Sequence, residues 1–236
     1  MTTLLNIEAR SGSGTGPAVD LGAAPLRALR LRLDVSALDG DRLTVQVETS
    51  DDGASWRPVG APLRASDAGA VRASIGPVAR HVRAAWVIAG DASSATFGLG
   101  AEAARIYATP DDVFRLTLPE KALRDVSESS VIDALIAASG DADNEFGRVF
   151  TLPLLAWGDE LTRRVCDVAA FLLLKHRGFN PESGTDQVVV KAYDDAMAWF
   201  RRVGDGKSRP SGIIDSQEHT ESGGAPIVRS KPLRGW

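Results

Sequence analysis

Cysteine is almost absent from this chain. Cys166 is the sole one, so no intrachain disulfide can form and nothing points to an oxidising compartment. Histidine is also scarce. His81, His176 and His219 lie in three different segments, and no pair has metal-ligand spacing, so no metal site is expected. Long apolar runs are missing as well. The most apolar segment, Val165–Leu174, is interrupted by Asp167 and is too short to span a bilayer. The opening MTTLLNIEAR lacks a basic stretch followed by an apolar one, so it does not read as a signal peptide. There is no basic excess either: the net charge is −4, which argues against a broad nucleic-acid footprint. These absences lead to the expectation of a soluble, cytoplasmically made protein. With 44% hydrophobic residues over 236 positions, the chain can bury a core without staples.

The pattern changes near residue 105. Before it the period is two: Leu29, Leu31, Leu33 and Val35 alternate with Arg30, Arg32 and Asp34. Leu43, Val45 and Val47 alternate with Thr44, Gln46 and Glu48, and Val82, Ala84, Trp86 and Ile88 alternate with Arg83, Ala85 and Val87. Such alternation predicts strands with one face on a core. Turns at Leu38–Asp41 and Ser50–Gly53, with breaks at Gly76-Pro77 and Gly90-Asp91, separate the runs. No helical crossover intervenes, so residues 1–104 read as an antiparallel β-sandwich of jelly-roll type.

After residue 105 the period becomes helical. Thr109-Pro110-Asp111-Asp112 is a helix start, with a cap, a proline in the first turn and two acids at the positive end. That helix should reach about Leu116, and Pro119 should open another to about Val126. Ser127 caps a longer helix with Val131, Leu135, Ala138, Ala142 and Phe146 on one stripe, ended by Gly147. Pro153 sits in an expected irregular linker, Phe150–Trp157. Asp159 then starts a helix with Leu161, Val165, Val168, Phe171 and Leu172 inward, stopped by Gly178. Thr185 caps the last helix, with Val189, Ala192, Ala196, Trp199, Phe200 and Val203 inward and Gly204 as the stop. Residues 105–204 therefore read as a small helical bundle.

Residues 205–236 are rich in Gly, Ser and Pro and lack a period, which predicts an extended arm without a core of its own. Ile227, Val228, Leu233 and Trp236 are nevertheless interleaved with Arg229, Lys231 and Arg234. That pattern suits a peptide that becomes ordered against a partner.

No catalytic constellation emerges. Gly206-Lys207-Ser208 ends like a phosphate loop, but Arg201 stands where glycine is required and a helix precedes it rather than a strand. Gly12, Gly14 and Gly16 have no helix after them and read as a loop. Cys166 lies in an apolar helix and reads as core. Asp111-Asp112 suits a helix start, and Asp194-Asp195 point apart on a helix surface. The hairpin Thr49–Trp56 is similar to one common in carbohydrate-binding sandwiches, but the same hairpin recurs in sandwiches that bind no sugar, and a plain turn with Trp56 packed at the sheet edge is the better account. The reading is of a non-enzyme without a cofactor.

Four segments carry a family resemblance: Ile106-Tyr107-Ala108-Thr109-Pro110-Asp111-Asp112; Arg148, Phe150 and Leu152-Pro153-Leu154; Asp167–Leu173; and Lys191–Phe200 followed by Gly204. In order and spacing they resemble the Mu-like and lambdoid head–tail connectors, or adaptors, of tailed bacteriophages. The resemblance spans about residues 105–204 and not the sandwich. It implies a structural protein of the virion neck, assembled in the host cytoplasm, forming a twelve-fold ring of identical copies between the portal protein and a tail-side neck protein. It also implies contact with the capsid, no membrane partner, and DNA that only passes through the ring. The C-terminal arm is the expected portal-binding element, through Ile227, Val228, Arg229, Lys231, Leu233, Arg234 and Trp236. The alternative is a carbohydrate- or capsid-binding module on a helical support.

Overall fold

The structure, a computed structural model, describes residues 1–90, 93–119, 126–177 and 184–216. Its strands and helices in chain order are β1 (Thr2–Ser11), β2 (Gly14–Thr15), β3 (Val19–Asp20), β4 (Arg27–Asp39), β5 (Arg42–Ser50), β6 (Arg57–Pro58), β7 (Leu63–Ala65), β8 (Gly69–Ile75), β9 (His81–Ala89) and β10 (Ser94–Arg105), then α1 (Pro110–Leu116), α2 (Glu128–Phe146), β11 (Leu154–Ala156), α3 (Asp159–Arg177), α4 (Gly184–Gly204) and β12 (Ile214–Asp215). The strands before residue 106 form two antiparallel sheets. One has the order β1-β10-β4-β8; the other runs β2-β9-β5-β6, with β3 also on β9 and β7 also on β5. The sandwich expectation holds, and the four helices come after it.

The alternating residues do what their period demands. Leu29, Leu31, Leu33 and Val35 of β4 are buried, as are Leu43, Val45 and Val47 of β5 and Val82, Ala84 and Ile88 of β9, and they meet Leu4, Leu5, Phe97 and Leu99 in one core. Strands β1, β8 and β10 were not legible in the sequence. β1 is bulged against β10 between Thr3 and Leu5 and again between Leu5 and Glu8. Arg10 fills the second irregularity. Its guanidinium donates to the carbonyls of Phe97 at 2.7 Å, Asn6 at 2.9 Å and Glu8 at 3.2 Å, and lies 4.8 Å from the Phe97 ring centre and 5.2 Å from that of Trp86. A long cation thus satisfies carbonyls that the bulge takes out of the ladder.

In the helical part, Thr109 closes a capping box with Asp112, and Ser127 caps α2. The α2 stripe Val131, Leu135, Ala138, Ala142 and Phe146 packs with Leu161, Val165, Cys166 and Val168 of α3 and Ala196, Trp199, Phe200 and Val203 of α4. Phe171, Leu172, Val189 and Ala192 lie less deep than expected and are only half-buried. Phe146 is the hub, with edge-on contacts to Phe150, Trp199 and Phe200 at 5.9, 5.8 and 5.9 Å.

Two expectations are corrected. The stretch 150–157 is not wholly irregular: β11 lies inside it and pairs with β12, Leu154 opposite Asp215. The start of the arm is not extended and free of the bundle. Residues 205–216 fold back onto it: the Ile213 side chain packs on the helical core, Thr151 N–H donates to the buried Asp215 carboxylate at 2.9 Å, and Ser216 N–H donates to Thr151 at 3.2 Å. Gly158 permits this, since a Cβ there would lie 2.7 Å from the Ser211 carbonyl. Most of the helix read from Pro119, the stop at Gly178 and the proposed portal-binding residues 227–236 lie outside the described residues.

Candidate interaction surfaces

Polar chemistry concentrates where the sandwich meets α2. Tyr107 lies just after β10, the last strand of the sandwich, and is 1% exposed. Its hydroxyl donates to Asp143 Oδ1, its backbone N–H donates to Ser139 Oγ at 3.1 Å, and its carbonyl accepts from Trp157 Nε1 at 3.0 Å and Thr162 Oγ1 at 3.1 Å. Trp157 meets the Tyr107 ring edge-on at 4.8 Å. Arg105 completes the cluster with an ion pair to Asp143 at 3.0 Å. Burial pushes the Asp143 carboxyl above its ordinary range, against the opposing pull of Tyr107 and Arg105. Burial, joined by the neighbouring Asp143 carboxylate, pushes the Tyr107 phenol up as well. Such a phenol stays protonated and donating, which suits a fixed joint. Further along α2, Ser74 N–H donates to Ser129 Oγ at 2.7 Å and Ser74 Oγ to Asp133 at 2.6 Å.

Among the described residues, those weighed in the sequence do not converge. His81 sits on β9 opposite Ser50, far along the chain from Cys166, which is fully buried in α3 with its thiol pushed up to about 12 by burial. Among the described residues no group of three or more His, Cys, Asp and Glu side chains comes close enough to hold a metal ion. Lys207 pairs with Asp205 at 2.8 Å just past α4. In the Ser50–Gly53 turn, Asp52 Oδ1 accepts from the N–H groups of Ala54 and Ser55, both at 2.8 Å, and Gly53 has φ +73°. Trp56 is half-buried, with Arg83 4.3 Å from its ring centre and held there by Glu48 at 2.7 Å. One face of that ring is therefore already occupied.

Open surfaces among the described residues include the following. A charged groove of about 650 Å³ lies between α3 and α4, lined by Asp159, Glu160, Arg163, Arg164, Asp167 and Asp195. An apolar cleft of about 240 Å³ separates the sandwich from β11, walled by Leu21, Pro25, Leu26, Ala104, Pro153 and Leu155. The four-stranded sheet ends in the outer strands β1 and β8, and the β8 edge is covered at Ser74 by Ser129 of α2. No described helix is long and apolar enough to cross a membrane.

The sequence pattern of the family described as "Bacteriophage Mu, Gp36" matches residues 106–230. The chain belongs to this bacteriophage family. The match opens at Ile106, directly after β10, and takes in the whole helical part, so the Gp36-like portion of the chain is the bundle together with most of the segment C-terminal to it. No curated protein matches the chain. Among solved structures, "Family 16 Carbohydrate Binding Module-2" is 12% identical, with 41% of this chain and 74% of that one covered at a TM-score of 0.26. "CBM4 structure and function" is 8% identical, with 38% and 60% covered at a TM-score of 0.27. At those scores neither likeness carries weight for fold or function.

Proposed function

We infer that this Gp36-family chain is a structural protein of the virion neck, a head–tail connector whose copies form a ring between the portal protein and a tail-side neck protein. The observation that carries the reading is the family match over residues 106–230, which coincides with the compact bundle closed around Tyr107 and Phe146. The proposed role is geometric and not enzymatic, with no cofactor. A ring needs two different complementary faces on each copy, joined head to tail. Its proposed symmetry is twelve-fold, matching the portal, with the sandwich outside, facing neighbouring copies or capsid, and DNA passing through the middle. Residues 227–236 are the proposed portal contact, with Trp236 as anchor, and many such arms in one ring multiply a weak contact.

Counting copies in purified particles tests the reading. About twelve copies at the head–tail joint are expected, and one or two copies, or none, would refute it. Deleting residues 226–236 should abolish portal binding while circular dichroism shows the bundle intact. Unchanged portal affinity in that deletion would remove the arm from the proposal.

A further inference from the structure

The two outer edges of the four-stranded sheet run in opposite directions. The order is β1-β10-β4-β8 and each adjacent pair is antiparallel, so with four strands β8 runs against β1. A second copy brought alongside by rotation, without being flipped over, lays its β1 against β8 in the antiparallel sense. That is the pairing used throughout the sheet. With an odd number of strands the same movement would give a parallel pair.

The β8 edge is free over a short stretch. Ser74 N–H points away from β4 and is taken by Ser129 Oγ at 2.7 Å. The β4–β8 register is unbroken, so Ala70 and Arg72 present their N–H and C=O groups in the same outward direction. Both residues are exposed, and these groups have no partner among the described residues. On β1 the first half is bulged, but Glu8 through Ser11 pair regularly with β10 and leave a straight outer edge. The charges of the two sides are complementary. Beside β8, Arg72 and Arg64 make no ion pair among the described residues, whereas the nearby acids Asp34 and Asp133 are already paired with Arg32 and Arg30. At β1, the Glu8 side chain is 62% exposed, whereas its cationic partner Arg10 is 8% exposed.

We propose that β8 of one copy, at Ala70–Arg72, pairs with β1 of the next copy, at Glu8–Ser11, so that neighbouring sandwiches continue one sheet around the ring. This rests on the ring reading above. The contact is short, so it forms where the bundles already hold the copies together, and it fixes the spacing of the outer layer.

Cys166 is buried, so new surface cysteines can be cross-linked against a quiet background. Ala9→Cys and Ala70→Cys are introduced singly and together into the full chain, and assembled particles are treated with a short bis-maleimide. The expected result is a ladder of covalent multimers from the double variant and none from either single one. Dimers from a single variant would mean that edges meet two-fold, which overturns the proposal. Particles holding many copies without any cross-link would overturn the edge contact and leave the ring standing. Particles holding one or two copies, or none, would overturn both. As a second measurement, Ala70→Pro removes an outward N–H while leaving the β4 ladder intact. Its thermal unfolding should match the parent, while Ala9→Cys/Arg72→Cys cross-linking in its presence should fall at least ten-fold. Undiminished cross-linking would overturn the strand pairing.

Discussion

Replacing Tyr107 with phenylalanine isolates one bond in the joint between sandwich and bundle. The ring keeps its edge-on contact with Trp157 at 4.8 Å, and the backbone keeps its bonds to Ser139, Trp157 and Thr162. Only the hydroxyl that donates to Asp143 is lost. Asp143 then relies on Arg105 alone, with its carboxylate 23% exposed. A hydrogen bond to a charged group contributes about 1.5–3 kcal/mol, and an acceptor left short of a donor in a buried place costs a similar amount. The expected loss is therefore about 2 kcal/mol, or a fall in Tm of about 4–8 °C for a chain of this size. Thermal unfolding followed by circular dichroism measures it. Burial raises the Asp143 carboxyl, so the folded chain takes up this proton at a higher pH than the unfolded chain does. For that group alone acid favours the fold, and its contribution is lost as pH rises through the folded value. Once Asp143 is protonated, the bond from Tyr107 joins two neutral groups and is worth roughly 1 kcal/mol. The difference between parent and Tyr107→Phe should then shrink as pH falls below neutrality toward the ordinary carboxylate range. A Tm change under about 1 °C at pH 7, or a difference that grows in acid, would refute this account of the joint.

Arg10→Ala should cost roughly 2–4 kcal/mol, seen as a lower urea midpoint, because the carbonyls of Asn6, Glu8 and Phe97 lose their donor at the bulge. Gly60→Ala should destabilise by about 1–3 kcal/mol in the same assay, since φ is +63° and a Cβ would lie 2.5 Å from Ile75 Cγ2. Cys166 should be silent to a thiol reagent at pH 8 in the folded chain and react as one thiol after denaturation, because burial holds it protonated; rapid labelling of the native protein would contradict its place in the core.

Period and caps made much of this fold legible. The two-residue alternation of β4, β5 and β9 and the helix starts at Thr109 and Ser127 need only neighbours in sequence to be read. What escaped depended on distant partners. In β10, Ala95, Phe97, Leu99 and Ala101 do alternate inward, but Gly98 and Gly100 stand between them and resemble a break. Gly98 leaves room for Ile7 to lie across the sheet, and a Cβ there would come within 2.5 Å of the isoleucine side chain. In β1 the bulges bury Leu4 and Leu5 side by side and erase the period. β11 and β12 are short strands that exist through each other. Asp143 shows the same limit within the joint. Its position on α2, four residues after Ser139, marks a polar line beside the apolar stripe, but the sequence does not say that Tyr107 lies opposite.

The joint also explains how a sandwich can sit on a bundle without disturbing it. Ser139, Asp143, Trp157 and Thr162, which enclose Tyr107, all belong to the stretch that matches the family, so that cluster closes with its own residues. The links from the sandwich are added around it: Arg105 to Asp143, Ser74 to Ser129 and Asp133, and Ala28, which is fully buried in the helical core. None of them replaces a contact inside the bundle. They are nevertheless spread along α2 from Ser129 to Asp143, a distance of about 20 Å at the rise of an α-helix. A single link would act as a pivot. Links spaced that far apart resist rotation, because any swing that preserves one must stretch the other. The orientation of the sandwich is thereby set by α2, and in the proposed ring every copy would present its β1 and β8 edges at the same angle to its neighbours. That is the geometric condition for those edges to meet.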